Sequence, residues 1–194
     1  MDKIDKDNNN KMILIVGLGN PGQDLSKTRH NLGFMVLDQW VLALGEKWKF
    51  KNRFKAKTCL LNKGLLLIKP QTFMNQSGEA VARIANFYKI EPKNIFVIHD
   101  ELDLPLGKLR LQQGGQTAGH KGLESIRQYL KSLEFVRFRL GIGHNLPEVP
   151  AEKYVLQGFA DKEIGQVELM IKKTIKALKE TFDKSLVQAM NQFN

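Results

Sequence analysis

The sequence predicts an α/β fold: one domain with a mixed, mostly parallel twisted sheet and helices on both faces. Short apolar runs of strand length alternate with segments whose apolar residues recur at helical spacing. Two runs, 12–16 and 95–98, are continuously apolar, as strands covered on both faces are. Another two flank a short Asn-Lys-Gly turn, which predicts a hairpin. A chain of 194 residues is long enough for one sizeable core and short for two.

The first half of the chain is predicted to alternate strands and helices. Its predicted elements are a strand over 12–16, a turn over 17–22, a helix over 32–44, and hairpin strands over 53–61 and 65–69. After a loop at 71–75, Asn75 or Ser77 can cap a helix. The apolar face of that helix comprises Ala80, Val81, Ile84, Phe87 and Tyr88.

The second half begins with the buried strand 95–98, which delivers His99, Asp100 and Glu101 at its carboxyl end. The further predicted elements are a strand over 108–111, a glycine-bearing loop over 112–122, a helix, a strand over 136–143 and a loop over 144–152. One long helix closes the chain. Its stripe comprises Ile164, Val167, Ile171, Ile175, Leu178, Phe182 and Leu186.

Composition narrows the class of protein. The single cysteine, Cys59, excludes a disulfide framework and fits a reducing compartment. No apolar stretch has the length of a membrane span, and the polar residues 1–11 are expected to be a disordered tail ahead of a single domain over 12–194. We therefore expect a soluble, cytoplasmic protein with no membrane partner. The net charge of +10 favours a polyanionic partner, nucleic acid above all.

The turn Gly17-Leu18-Gly19-Asn20-Pro21-Gly22 matches the G-x-G-x-x-G pattern of dinucleotide-binding proteins. Pro21, however, lacks a backbone N–H where the pyrophosphate needs donors. The next promising acidic residue, Asp38, falls inside a predicted helix rather than at a strand end. The glycines are better interpreted as a tight turn that exposes the Asn20 side chain.

His30 lies between a strand end and a helix start, where α/β proteins commonly place their chemistry. A carboxylate that accepts one ring N–H of a histidine leaves the other nitrogen free to take a proton from water. Of the acidic residues Asp100, Glu101 and Asp103, Asp100 follows the buried strand directly and is the most rigidly placed. His99 and His120 are rival histidines, and no metal-ligand spacing accompanies any of them.

Loop asparagines form a third feature. Each of the asparagines Asn20, Asn31 and Asn75 lies beside a predicted strand or helix end. An amide there can form hydrogen bonds with the main chain of a bound peptide, or it can simply cap a turn. The sequence contains no G-x-S-x-G elbow, and Cys59 lies in a predicted strand. If the protein is a hydrolase, water is the expected nucleophile and His30 the base.

Several motifs together resemble the bacterial-type peptidyl-tRNA hydrolase family. They are GLGNPG with TRHNLGF, PQTFMNQSG, HDELDLPLGKLRL, GHKGLESI, and FRLGIGH followed by YVLQGF, in the family's order over roughly 12–160. The resemblance implies hydrolysis of the ester between a peptide and the 3′ ribose of tRNA, without metal or cofactor. It also implies a monomer that needs no obligate protein partner.

The resemblance assigns roles by position. His30 corresponds to the catalytic base and Asp100 to the carboxylate that orients it. Asn20 matches the residue that distinguishes peptidyl-tRNA from aminoacyl-tRNA. Asn75 matches a substrate-binding asparagine, and Phe73 and Met74 match residues that line the same groove. We further expect three basic residues to contact tRNA phosphates: Lys108, Arg110 and Arg139.

Two expected substrate-binding positions depart from the family pattern. Leu25 stands where relatives commonly have tyrosine, and Lys121 where they have asparagine. In the same loop, Gln116-Thr117-Ala118 replaces a stretch rich in glycine and histidine. We hypothesise that Lys121 meets a phosphate near the tRNA 3′ end. The alternative to an enzyme is a non-catalytic RNA-binding relative, because a plant organelle branch resembling the family serves as an intron-splicing factor.

Overall fold

The computed structural model describes residues 12–143 and 148–194. The predicted tail over 1–11 and residues 144–147 of the predicted loop lie outside the described residues. The strands are β1 (Ile13–Gly17), β2 (Lys49–Lys51), β3 (Ala56–Leu60), β4 (Leu65–Pro70), β5 (Ile95–Glu101), β6 (Leu109–Gln113) and β7 (Val136–Gly141). They form one seven-stranded sheet in the order β2-β3-β4-β1-β5-β7-β6.

The sheet is mixed, and its four central strands run parallel. β1 pairs in parallel with β4 and β5, and β5 pairs in parallel with β7. The outer strands β2, β3 and β6 are antiparallel to their neighbours. All seven residues of β5 are buried, because helices cover this strand on both faces. The predicted α/β class is confirmed.

In the described residues, the α-helices that accompany the sheet are α1 (Leu32–Ala43), α2 (Ser77–Tyr88), α3 (Lys121–Leu130), α4 (Ala151–Tyr154), α5 (Asp161–Asp183) and α6 (Leu186–Phe193). One apolar cluster joins α1, α5 and α6 to one face of the sheet, and a second joins α2 and α3 to the other. Side chains alternate along each strand, so Leu14 and Ile15 enter opposite clusters. None of the described helices has the length and apolar content that crossing a membrane requires.

Several elements differ from the sequence prediction, among them the helix α4, which begins within the predicted loop over 144–152. The short edge strand β2 was not predicted, since its three residues are all exposed and carry no apolar alternation. The first hairpin strand begins at Ala56 rather than Arg53, because a 3₁₀ turn over Asn52–Phe54 and a left-handed Lys55 (φ 50°) precede it. The predicted long C-terminal helix is two helices, because α5 ends before Lys184 and the Ser185 hydroxyl caps α6.

A close backbone approach fixes the position of α1 on the sheet. Leu18 N–H donates to the Ile98 carbonyl (3.0 Å), and Phe34 N–H donates to the Leu18 carbonyl (3.1 Å). Gly33 lies in the middle of these contacts: a Cβ there would lie 2.4 Å from the Ile98 oxygen and 2.4 Å from the Leu18 nitrogen. The start of α1 can therefore lie directly on the carboxyl ends of β1 and β5 only because residue 33 has no side chain.

We predict that Gly33→Ala destabilises the protein by at least about 2 kcal/mol, since the obstructing atoms are backbone and cannot move aside cheaply. Urea unfolding checks this. Gly165→Ala is the matched control, because it also replaces a helical glycine but adds its methyl group to open space. That variant should be stabilised by roughly 0.5–1 kcal/mol. Equal stability of the two variants would contradict the close-approach explanation.

Candidate active site

The turn that carries His30 is attached to the segment that follows α4. Residues Arg29–Asn31 form one 3₁₀ turn ahead of α1. Arg29 N–H donates to the Gln157 carbonyl (2.9 Å) and His30 N–H to the Val155 carbonyl (2.8 Å). These bonds hold the backbone of His30 between the sheet and a segment more than 120 residues later in the chain.

The Arg29 side chain reinforces this attachment. Its guanidinium lies between the rings of Tyr154 and Phe159, at 4.5 Å and 4.6 Å from their centroids, and donates to Glu163 Oε2 at 2.8 Å. Glu163 also accepts the Ala160 N–H (2.7 Å) at the start of α5. Sequence reasoning missed this cluster because its members are far apart in the chain.

Asp100 is the buried centre of the site. It lies near the end of β5 with 2% of its surface exposed. His30 Nδ1 is 2.9 Å from its Oδ1 and 3.0 Å from its Oδ2, and His120 Nε2 is 3.0 Å from Oδ1. Burial alone would raise the pKa of the carboxyl, but the charges and hydrogen bonds of His120 and His30 outweigh burial and hold that pKa well below its usual range. Asp100 is therefore an ionised acceptor.

The backbone of α3 fixes the tautomer of His120. His120 Nδ1 accepts the N–H groups of Gly122 (3.1 Å) and Leu123 (3.4 Å) as the N-cap of the helix. Because Nδ1 is an acceptor, Nε2 carries the proton that is donated to Asp100. His120 thus has no free nitrogen with which to take a proton from a ligand.

His30 has the opposite tautomer, since its Nδ1 faces the ionised carboxylate and must donate. Its Nε2 is left for a ligand. His30 lines a cavity of about 330 Å³ together with Asp100, His120, the Leu102–Asp103 turn, the Ala118–Lys121 loop, Ala151, Glu152 and Val155. A water molecule or a substrate in this cavity can reach one proton acceptor that a buried carboxylate orients.

His99, the third histidine, is structural. Its ring is 1% exposed, its Nδ1 donates to the Asp100 carbonyl (2.7 Å), and its Nε2 is buried without a partner among the described residues. Burial, with the nearby His120 as a further cause, lowers the pKa of His99 well below its usual range. Its ring packs edge-on against His120 with centroids 5.0 Å apart. His99 therefore supports His120 and Asp100 without reaching the cavity.

The three groups His30, Asp100 and His120 also offer potential metal ligands, with ligand atoms within 4.8 Å of one another. Hydrogen bonds already engage the carboxylate of Asp100, Nδ1 of His30 and both ring nitrogens of His120. A metal on His120 would have to displace either the helix N–H groups or Asp100. The donor set therefore fits a hydrogen-bonded site better than a metal centre.

Asn20 and Asn31 lie together. The Asn31 side chain accepts the Asn20 N–H (2.8 Å) and donates to the Asn20 carbonyl (2.9 Å), so Asn31 is committed to the turn. Asn20 Oδ1 accepts the Met74 N–H (2.8 Å), which leaves the Asn20 NH₂ group for a ligand. Asn20 lines a second cavity, of about 350 Å³, together with Asn31, Phe34, Asp38, Lys57, Lys69 and Gln71. Of the loop asparagines, Asn31 thus belongs to the scaffold.

The remaining predicted substrate residues are more peripheral. Phe73 is 64% exposed and Asn75 is exposed, whereas Met74 between them is buried beside Leu18 and Gly122. Leu25 is half-buried in the turn after β1, where its carbonyl accepts the N–H and the hydroxyl of Thr28. Phe73, Asn75 and Leu25 line neither of the two cavities.

Lys121 is the first residue of α3 and lies at the mouth of the His30 cavity. Its ammonium is 3.3 Å from Glu152, and both side chains are largely exposed. An exposed ion pair of this kind contributes little, on the order of 0–1 kcal/mol. Glu152 on the short helix α4, like Ala151 and Val155, was not predicted as part of the site, since the sequence indicated only a loop there.

The basic residues expected to contact phosphate divide into two kinds. Arg110 and Arg139 are directly opposite each other on β6 and β7 and therefore share a face. Arg139 donates to Glu101 (2.9 Å) and Gln112 (2.9 Å), and Lys108 donates to the Asn194 carbonyl (2.7 Å). Of the three cations, Arg110 is the exposed one, so it is the residue most accessible to a tRNA phosphate.

The fold and the site together define an α/β protein in which a buried carboxylate orients a histidine beside a cavity, an arrangement suited to a hydrolase that activates water. The family model for peptidyl-tRNA hydrolase matches residues 14–194. The chain is 39% identical over 189 residues to peptidyl-tRNA hydrolase of Bacillus subtilis (strain 168), covering 94% of this chain and 98% of that one. It is 42% identical over 183 residues to the Aquifex aeolicus (strain VF5) enzyme, with 93% and 95% covered.

A solved structure agrees with these sequence comparisons. The crystal structure of peptidyl-tRNA hydrolase from Acinetobacter baumannii superposes with a TM-score of 0.88 at 36% identity, covering 95% of each chain. The chain belongs to the peptidyl-tRNA hydrolase family.

The buried His99 predicts a pH dependence of stability. Because its pKa is lowered in the folded protein, the unfolded chain binds a proton at pH values where folded His99 does not. His99 therefore leaves the free energy of unfolding unchanged above about pH 6.5. Below that pH the free energy of unfolding declines by up to about 1.4 kcal/mol per pH unit. Urea unfolding between pH 5 and 7.5 should show a shallower decline in His99→Asn, whose amide can keep the donor to the Asp100 carbonyl. An identical decline in both proteins would contradict the assignment.

Proposed function

We propose that the protein hydrolyses the ester between the peptide and the 3′ ribose of peptidyl-tRNA, and so returns tRNA from aborted translation. One observation carries the mechanism: the ionised Asp100 receives His30 Nδ1–H, which leaves the Nε2 lone pair for the cavity. Family membership supplies the substrate, and the site supplies a base suited to an ester.

The reaction begins with a water molecule that donates a hydrogen bond to His30 Nε2. Nε2 takes the proton as the water oxygen attacks the ester carbonyl carbon, and Asp100 stabilises the resulting imidazolium. The tetrahedral intermediate collapses with cleavage of the bond to the ribose oxygen, which takes the proton from Nε2. The products are the peptide carboxylate and free tRNA. An ester has a good leaving group, so one oriented base and neutral donors near the oxyanion suffice.

The asparagines are proposed to bind the peptide half of the substrate. The NH₂ group of Asn20 is free because Met74 and Asn31 engage the other polar groups of this residue. It can donate to a peptide carbonyl, which a substrate with a free α-amino group lacks. Asn75 and Phe73 lie exposed on the adjoining loop and are proposed to contact the substrate there. Leu25 is proposed to contact it through apolar surface only.

The tRNA half is assigned to the side of His30 that faces α3 and β6. Lys121 lies at the mouth of this cavity, and Arg110 is exposed on the neighbouring edge strand. Phosphates that meet these cations would replace a weak surface contact with Glu152. We further propose that the protein acts in the cytoplasm, as a monomer, with no cofactor and no obligate protein partner.

The first prediction concerns turnover. Purified protein should release the N-acetylated amino acid from N-acetyl-aminoacyl-tRNA in excess chelator, and His30→Ala should lower kcat/KM by about 10²–10⁴. Loss of wild-type activity in chelator would overturn the metal-free mechanism in favour of a metal on His30, Asp100 and His120. Binding of tRNA without any turnover would instead favour the non-catalytic RNA-binding alternative.

The second prediction compares the role of Asp100 with that of His120, its second partner. Asp100→Asn should lower kcat/KM by about 10²–10⁴, since an amide can present its NH₂ group to Nδ1 and reverse the tautomer of His30. His120→Ala removes one hydrogen bond to a charged group and should cost only roughly 10- to 100-fold. Steady-state kinetics at several pH values distinguish the two. A larger loss in His120→Ala than in Asp100→Asn would contradict the assigned roles.

The third prediction concerns Lys121. Lys121→Asn should weaken tRNA binding and reduce the slope of log affinity against log salt by about one contact, roughly 0.7–0.9. Lys172→Asn on the exposed face of α5 is the control for net charge and should change neither quantity. If both variants bind tRNA as the wild type does, Lys121 does not meet a phosphate.

A further inference from the structure

A concentration of positive charge lies away from the catalytic cavity. From Lys47 to Lys57, six of eleven residues are lysine or arginine and none is acidic. This segment contains the edge strand β2, its turn into β3 and the first part of β3. It accounts for a large share of the net charge of +10. We refer to Lys47, Lys49, Phe50, Lys51, Arg53 and Lys57 as the basic edge.

The cations of the basic edge are free within the part of the chain that the structure describes. Lys47, Lys49, Lys51 and Lys57 are exposed, and none forms an ion pair there. Lys55 is omitted because it pairs with Glu79 at 2.9 Å. The strand register places Lys49 opposite Thr58, Phe50 opposite Lys57 and Lys51 opposite Ala56, so no acidic residue faces the row across the strands. The unbalanced row therefore indicates an anionic partner.

Aromatic rings are interleaved with these cations. Phe50 is 59% exposed in the middle of β2, an unfavourable place for a large apolar ring in a monomer. The Arg53 guanidinium carbon lies over the rings of the buried Phe54 and the exposed Phe87, at 4.4 Å and 4.2 Å from their centroids. Exposed rings beside backbone-binding cations are how proteins hold single-stranded nucleic acid, with bases stacked on the rings.

The cations occupy both faces of the edge strand. Phe50 is directly opposite Lys57 and shares its face, whereas Lys49 and Lys51 point to the other face. Lys49 and Lys51 are two residues apart, about 7 Å along the strand, a distance comparable with that between successive phosphates of a nucleic acid. A flat anionic membrane reaches one face of a strand only, whereas a flexible RNA strand can follow an edge with charge on both sides.

We propose that the basic edge is a second RNA-binding surface, one that takes single-stranded RNA independently of the catalytic site. The order of the sheet places β2 three strands from β1 and six strands from β6. These separations are about 14 Å and 29 Å at the usual strand spacing. RNA on the basic edge therefore leaves the His30 cavity and Arg110 unoccupied, and it meets the Asn20 cavity only at Lys57, which the variants tested below leave in place. The proposal does not depend on the hydrolytic function.

The test is fluorescence anisotropy with a labelled 12-nucleotide oligouridylate across a salt series. The triple variant Lys47→Gln/Lys49→Gln/Lys51→Gln should bind at least about tenfold more weakly, and the slope of log affinity against log salt should fall by about 2, since each lost contact removes about 0.7. Phe50→Ser alone should weaken binding by at least about fivefold. Both variants should keep wild-type activity on N-acetyl-aminoacyl-tRNA.

The matched control removes the same charge elsewhere, in Lys172→Gln/Lys176→Gln/Lys179→Gln on the exposed face of α5. Oligouridylate affinity within twofold of wild type in this control supports the proposal. An equal loss in both triple variants would mean that net charge alone drives binding and would overturn it. Unchanged affinity in the basic-edge variant would also overturn it, as would loss of binding to phosphatidylglycerol vesicles without loss of RNA binding.

Discussion

An ionised carboxylate buried at the end of a central strand is the constraint on which the site depends. Taking a carboxylate out of water is costly unless hydrogen bonds replace the lost hydration. Asp100 is 2% exposed, and the neighbouring imidazoles of His30 and His120 satisfy it. The carboxylate accepts from Nδ1 of His30 but from Nε2 of His120, so the two rings are opposite tautomers. Nδ1 of His120 also caps α3, whereas Nε2 of His30 has no partner among the described residues. One ring becomes a fixed donor and the other a base.

Close packing among small residues keeps these rings in place. A Cβ on Gly122 would lie 2.5 Å from Met74 Sδ and 3.1 Å from His120 Cε1, so the N-terminus of α3 and the loop after β4 approach each other through a glycine. Met74 N–H in turn holds Asn20 Oδ1. Asn20, which is proposed to bind the peptide, and His120, the second partner of Asp100, are thus connected through one buried methionine. A substitution of Met74 would therefore disturb both Asn20 and His120.

The sequence was sufficient for the fold class, because the apolar runs of the buried strands are easily recognised. It permitted a pairing of His30 with an acidic residue and favoured Asp100, and the family resemblance then assigned the pair. It was insufficient for the second role of His120, since only the three-dimensional structure shows that one ring nitrogen faces a helix start and the other a carboxylate. The wall formed by Ala151, Glu152 and Val155 was also missed, because a four-residue helix leaves no periodic pattern. The exposed strand β2 lacked the alternation that marks half-buried strands, and the end of α5 before Lys184 interrupts an apolar stripe that continues to Leu186.

The tautomers of the two histidines test the central claim most directly. Nitrogen-15 NMR of the histidine-labelled protein at neutral pH distinguishes a protonated ring nitrogen from one with a lone pair. The hydrogen bonds around Asp100 predict that His30 carries its proton on Nδ1 and His120 on Nε2. The Asp100→Asn variant should lose the first assignment and keep the helix-capping Nδ1 of His120 unprotonated. A proton on Nε2 of His30, or on Nδ1 of His120, in the wild-type protein would contradict the account.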